Sequence, residues 1–355
     1  SKGGDDMGKK LSSLEFNSNS FDVIRLIAAI QVVIGHSLVH LDIGTSKVFN
    51  NILGWFPGVV ILFAISGYLI TASAERSASK FEYIKKRLLR IYPALIICFI
   101  VTIITISFFI KLNGKEILIF SSLHTTFFQW YTPGFLRTYG TGAINGSLWT
   151  IIVELQFYLF TLIFYKKMKN LSIKKWIIII GSFLFINIML PMIEKFIPTF
   201  FYGLLLETFI PYIYIYLIGA FLYTFKDEIL PILIKNFKYI VSIFILWNII
   251  NEFLNVNIGE HYNIITGILL PIISISLSYI LGKHKLKMDL SYGIYLYHMV
   301  IINVLVQLNL TKRISSLIVV YVVTILAAIL SWTLVEKPFI NMKKKCKNIG
   351  AQVTS

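Results

Sequence analysis

Apolar stretches of about twenty residues recur along the whole chain, and that spacing leaves few folds open. A helix needs about 20 apolar residues to cross a hydrocarbon core about 30 Å thick. Within lipid only helices and closed barrels satisfy their own backbone groups. The first stretch, Phe21 to Leu41, reads FDVIRLIAAIQVVIGHSLVHL. Further candidate spans fall at 53–74, 94–112, 147–165, 176–193, 204–225, 239–254, 262–281, 290–308 and 315–335. The run 117–130 is apolar but short for a span, and reads as interfacial or re-entrant. The expected fold is all-α: a polytopic membrane helical bundle of about ten transmembrane helices.

Charge sets the orientation. The net charge of +16 would suit a nucleic-acid binder, but the basic residues lie between the apolar runs, so no nucleic acid is expected. Alternate loops collect Lys85, Lys86, Arg87 and Arg90; Lys166, Lys167, Lys169, Lys174 and Lys175; Lys226, Lys235 and Lys238; Lys283, Lys285 and Lys287; then Lys337 and Lys343 to Lys345. The opposite loops are mostly neutral or acidic, with Glu194, Glu252 and Glu260 among Lys47, Lys195, Lys312 and Arg313. The positive-inside rule then places both termini in the cytoplasm, with the basic loops against anionic membrane lipid. The domain plan is a cytoplasmic segment 1–20, a transmembrane domain 21–339 and a basic cytoplasmic tail 340–355. Ser1 to Asp6 precede Met7 and read as a remnant of an added sequence. The first apolar run is long enough to span, so no cleavable signal peptide is expected. Cys98 and Cys346 suggest no disulfide framework.

Ionisable groups within the apolar runs are the candidates for chemistry, because a charge in a span is costly and faces the protein interior by default. Arg25 and His36 share the first run, eleven positions apart. On a helix that spacing returns to within about 20° of one face over about 16 Å. Arg25 would lie about 6 Å deep and His36 about 22 Å. The alternatives are an arginine snorkelling to the interface and a structural histidine. Glu154, in SLWTIIVELQFY, would sit about 10 Å below the outer surface, near the level of His36. A histidine with a carboxylate makes a general base, the carboxylate orienting the ring; the alternative is a buried Glu in a structural pair. In the basic loop 75–93, Arg87 and Arg90 stand one helical turn apart beside Lys85, Lys86 and Tyr92. Guanidinium forks suit phosphates, although a loop that merely fixes topology would look similar. Ser66-Gly67 in FAISGYLI suits close helix packing. SYGIYLYH places Tyr295 and His298 in the inner half of the ninth span, where His298 either lines a donor path or bonds a carbonyl. Glu336-Lys337-Pro338 reads as an interface anchor and helix stop. His40, His124, His261 and His284 show no evident partners, and no metal-spaced cluster stands out.

Together these phrases resemble the acyltransferase-3 family of integral membrane acyltransferases. Arg25 and His36 match its Arg-x10-His, preceded here by Asp22. LFAISGYLI, KRLLRIYP, SLWTIIVELQFY, SYGIYLYH and the closing EKPF follow in the family's order, from Asp22 to Phe339. Glu154 has one or two extra residues before it relative to the family phrase. The resemblance implies transfer of an acyl group, most commonly acetyl, from cytoplasmic acyl-CoA to a hydroxyl of an extracytoplasmic polysaccharide or its lipid-linked precursor. Carried over, His36 is the base or acyl-transfer residue and Glu154 its partner near the acceptor. Arg25, Arg87 and Arg90 contact the CoA end, with Lys86, Tyr92, Tyr295 and His298 beside the donor. Many relatives carry a further soluble esterase-like domain; a chain without one finishes the transfer itself or hands the acyl group on. The implied setting is the bacterial cytoplasmic membrane, and a homodimer is compatible with it. The competing reading is a proton-coupled transporter or flippase of glycan or lipid intermediates, with His36 and Glu154 as a relay.

Overall fold

The computed structural model describes residues 19–341 apart from 127, 130 and 257. Most of the expected terminal segments 1–20 and 340–355, Cys346 included, lies outside the described residues. In chain order the helices are α1 (Phe21–His40), α2 (Lys47–Trp55), α3 (Gly58–Glu75), α4 (Lys80–Ser107), α5 (Gly114–Thr125), α6 (Trp149–Met168) and α7 (Ile173–Ile193). They continue as α8 (Thr199–Leu206), α9 (Ile213–Thr224), α10 (Lys226–Lys235), α11 (Phe237–Leu254), α12 (Ile264–Ile280), α13 (Ser291–Gln307) and α14 (Ile314–Ser331). No strand occurs among the described residues. Among the described residues seven helical stretches are long and apolar enough to cross a membrane: 21–40, 47–75, 80–107, 149–168, 173–196, 237–254 and 314–341. The other three expected spans correspond to α9, α12 and α13, of 12, 17 and 17 residues. The protein is an all-helical, multi-pass membrane protein.

Several boundaries differ from the sequence reading, each for a local reason. The expected basic loop 75–93 is mostly helix: α4 starts at Lys80 and runs through Pro93. Ser79 caps it by accepting the Glu82 N–H at 3.1 Å, while Glu82 accepts the Ala78 N–H at 2.7 Å and pairs with Lys86 at 2.6 Å. These contacts hold the first turn, where propensity alone reads ambiguously. The expected span 53–74 breaks at Pro57, which heads α3. The expected span 204–225 divides into α8 and α9, with 207–212 non-helical around Pro211. The short run after Leu112 forms α5, started by a reciprocal Asn113–Glu116 capping box. The stretch 226–235, read as loop, is α10. Nor does the chain stop at Pro338. Trp332–Glu336 widens into a π turn, with the Lys337 N–H reaching back to Trp332 O, and helix continues to Asn341. A wider turn accommodates a proline that lacks its own N–H.

The fold comprises two compact units. One holds 19–28, 50–77 and 153–287; the other holds 29–49, 78–152 and 288–341. Helices α1, α2 and α6 each contribute residues to both. In the first unit α3 and α9 meet at glycines. A Cβ on Gly67 would overlap the Tyr216 carbonyl, and one on Gly219 would overlap the Ala64 carbonyl. Lipid gives little hydrophobic drive for helix association, so such close backbone approach is what dispersion forces require. Gly67 thus has the packing role its motif suggested. In the second unit Ile106, Phe120, Leu136, Tyr139 and Ile144 form a buried cluster. Gly293 of α13 lies against Ala328 of α14, where a Cβ would also overlap.

Gly67→Ala is expected to cost about 1–3 kcal/mol, as overpacking does, and to lower the thermal midpoint of the detergent-solubilised protein. Gly181→Ala, in open space on α7, is the control and should be neutral or stabilising by up to about 1 kcal/mol. Equal midpoints for the two variants would contradict the described contact.

Candidate active site

His36 and His298 meet within the second unit. Nδ1 of His36 lies 2.9 Å from Nε2 of His298. The rings are stacked, with centroids 5.1 Å apart and planes inclined by 23°. His298 is fully buried, at 0% exposure, while His36 is partly exposed. The other ring nitrogen of His298, Nδ1, lies 3.2 Å from the carbonyl oxygen of Ile294, one turn back on α13. The nitrogen of His36 that a carboxylate would orient is therefore taken by a second imidazole. His40 adds a third ring, its centroid 5.9 Å from that of His36.

α13 is held by the segment leading into α6. The Asn145 amide donates to Leu296 O at 2.9 Å, and the Ser147 hydroxyl donates to Asn145 Oδ1 at 2.6 Å. The Thr150 and Tyr295 hydroxyls share a hydrogen bond of 2.7 Å. Tyr295, expected beside the donor, thus has its hydroxyl engaged inside the protein. Farther along α13, Asn303 accepts the Thr141 N–H at 2.7 Å and donates to Ala143 O and Ile144 O at 3.0 and 2.8 Å. Gln307 accepts the Gly140 N–H at 2.9 Å. Gly140 has φ +57°, and a Cβ there would overlap Asn303, so glycine is required. Buried polar groups left without partners are expensive, so these bonds fix the register of α13 and with it the His298 ring.

The start of α13 carries a charge pair. Arg90 Nη2 lies 3.3 Å from Asp289 Oδ2, while Asp289 Oδ1 accepts the Ser291 hydroxyl at 2.6 Å. The Tyr292 hydroxyl donates to Ile91 O at 2.9 Å, beside Tyr92. Thus the RIYP and SYGIYLYH phrases, far apart in sequence, are joined in one unit. Arg87 and Tyr92 are half-buried on the same helix α4. Asp289 escaped the sequence reading. Its signal was a lone carboxylate after the basic run Lys283, His284, Lys285 and Lys287.

Glu154 belongs to the first unit. It accepts from the Tyr158 hydroxyl at 2.7 Å and the Ser66 hydroxyl at 3.4 Å, joining the ISGYLI and ELQFY phrases. Two residues on, Gln156 accepts the Phe209 N–H at 2.8 Å within the break between α8 and α9. Arg25 is half-buried in this unit. The remaining histidines do have contacts. His124 stacks on Phe99 at 4.6 Å, His261 on Tyr212 at 5.4 Å, and His284 Nδ1 lies 2.6 Å from Leu281 O. Among the described residues no group of three or more His, Cys, Asp or Glu is arranged to hold a metal ion.

The chain is 29% identical to Nodulation protein 10 of Rhizobium leguminosarum bv. viciae, over 95% of its own length and 97% of the relative's. It is 27% identical to the O-acetyl transferase of Shigella phage Sf6, over 91% and 96%. It is 30% identical to the peptidoglycan O-acetyltransferase OatA of Listeria monocytogenes, over 42% of this chain and 25% of that protein. No solved structure matches the chain with significance. The acyltransferase-3 family model, described as an acyltransferase domain, matches residues 18–336. That span takes in Arg25, His36, Arg87, Arg90, Glu154, Tyr295 and His298, and it sets the transporter reading aside: the chain belongs to the acyltransferase-3 family of acyltransferases.

Proposed function

We propose that the protein transfers an acetyl group from cytoplasmic acetyl-CoA to a hydroxyl of an extracytoplasmic polysaccharide or its lipid-linked precursor, with His36 as the general base. The observation that carries this is the His36–His298 contact at 2.9 Å, which brings an imidazole of the first family phrase against that of the SYGIYLYH phrase. The relatives named as O-acetyltransferases support the acetyl class, and the one named for peptidoglycan supports a glycan acceptor. In the reaction His36 removes the acceptor hydroxyl proton as that oxygen attacks the thioester carbonyl. The tetrahedral intermediate collapses, the carbon–sulfur bond breaks, and the imidazolium returns the proton to the departing CoA thiolate. An imidazole suits both transfers, because one ring nitrogen can accept and return a proton while the other keeps its own.

CoA is too large and charged to cross a bilayer, but its pantetheine arm is long and thin. Arg87 and Arg90 hold the phosphates, with Lys86 and Tyr92 beside them. Guanidinium forks match phosphate oxygens, and the Asp289 carboxylate keeps the Arg90 fork oriented until the donor arrives. Glu154 receives the acceptor side, its carboxylate ordered by Tyr158 and Ser66. The setting is the bacterial cytoplasmic membrane, with about ten spans and both termini in the cytoplasm.

Purified protein in liposomes should consume radiolabelled acetyl-CoA by hydrolysis or transfer. His36→Ala should lower kcat by about 10²–10⁴-fold, the usual contribution of a general base. If wild type consumes no acetyl-CoA even with a glycan acceptor supplied, the donor assignment fails. In the same assay Arg87→Ala and Arg90→Ala should raise the KM for acetyl-CoA by about tenfold or more, matching loss of a charge-assisted bond, with kcat nearly unchanged. A fall in kcat at constant KM would take these arginines out of the donor site.

A further inference from the structure

The hydrogen bond between the two histidines has a direction, and the far side of His298 fixes it. A carbonyl oxygen only accepts, so the contact between His298 Nδ1 and Ile294 O puts the His298 proton on Nδ1. A neutral imidazole carries one ring proton, which leaves a lone pair on His298 Nε2. That lone pair faces His36 Nδ1 at 2.9 Å. His36 must then present Nδ1–H to it, and its own lone pair falls on Nε2.

We propose that His298 is the positioning residue of the reaction. It does not touch the donor; it fixes the tautomer and ring plane of His36, so that Nε2 is the nitrogen that takes the acceptor proton. This rests on His36 being the base, and it replaces the expectation that His298 lines the donor path. The relay runs from the backbone carbonyl of Ile294 through two imidazoles to the reacting hydroxyl. Its anchor is rigid: His298 is fully buried, and Asn145 and Thr150 hold its neighbours Leu296 and Tyr295. The role parallels that of the orienting carboxylate in serine hydrolases, where the wrong imidazole tautomer is catalytically poor.

A set of three substitutions tests the proposal in the full-length protein in liposomes. In His298→Gln the amide oxygen reaches roughly the place of Nε2 and can accept from His36. In His298→Asn the amide stops about one bond short, and in His298→Leu there is no acceptor. The Asn and Leu variants should lose about 10–100-fold in kcat, as changes to orienting partners do, with the KM for acetyl-CoA unchanged. The Gln variant should recover most of that loss. Nitrogen-15 NMR of histidine-labelled wild type, assigned with His36→Gln, should show His36 protonated on Nδ1 and bare on Nε2.

The proposal is overturned if Gln is as slow as Leu in protein of unchanged thermal midpoint, if Leu is as fast as wild type, or if His36 carries its proton on Nε2. A rise in KM without loss of kcat would return His298 to the donor path. Should the Leu variant not fold, the comparison of Gln with Asn and the NMR assignment still decide. Failure of the acyl-transfer reading looks different: wild type itself would leave acetyl-CoA intact, or His36→Ala would stay active, while the tautomer would remain measurable.

Discussion

A hydrocarbon interior supplies no water to a polar group, so each buried donor or acceptor must be answered by the protein. The site follows from that constraint. His298 is enclosed, and its two nitrogens are answered by the Ile294 carbonyl and His36. The same demand orders the segment beside it. Asn145, Ser147, Thr150 and Asn303 form a ladder of short bonds that ties loop backbone and α6 to α13. Each of these side chains would be costly alone; together they prevent α13 from rotating or sliding. A base needs this fixity, because proton transfer depends on a ring held within hydrogen-bond reach of its target.

Arginine placement obeys a related rule. In a membrane protein a basic run fixes topology wherever it lies, and only a rigid support turns it into a site. Here α4 continues unbroken from Lys80 through Arg87, Arg90 and Pro93, so the two arginines ride on a helix rather than a flexible loop. Asp289 meets Arg90 while Tyr292 bonds the backbone at Ile91. The start of the helix that carries His298 is thereby stapled to the helix that carries the arginines.

Much of this was legible in the sequence, and what was not has a common cause. The limits of α1, the packing role of Gly67 and the family phrases follow from composition and local order, which one chain displays. The break at 207–212, the π turn before Pro338 and the helical start of α4 depend on where backbone groups find partners, and apolar content carries no record of that. The pairing of His36 with His298 joins positions 262 apart. Each was visible as a costly group in an apolar run, but periodicity says only which face a residue takes, not what it meets. A carboxylate was the natural partner to expect for His36; the ring that meets its Nδ1 is His298, and Glu154 accepts from the Tyr158 and Ser66 hydroxyls.

The choice of imidazole over carboxylate has a physical consequence for the proposed reaction. An ionised carboxylate stabilises an imidazolium, but keeping that charge away from water is expensive. A neutral histidine orients the base without a standing charge, and offers less to the imidazolium that forms. Such a dyad is suited to holding a proton briefly. Direct transfer asks for that alone: the proton arrives on His36 Nε2 from the acceptor hydroxyl and leaves on the CoA thiolate, and the pair is neutral before and after. A covalent acyl-histidine asks for more. Acylation at Nε2 makes a cation unless the Nδ1 proton crosses to His298, and the positive charge would then rest on a fully buried ring whose Nδ1 faces the Ile294 carbonyl. Within the proposed mechanism, the neutrality of the pair therefore favours transfer of the acyl group in one encounter of donor and acceptor.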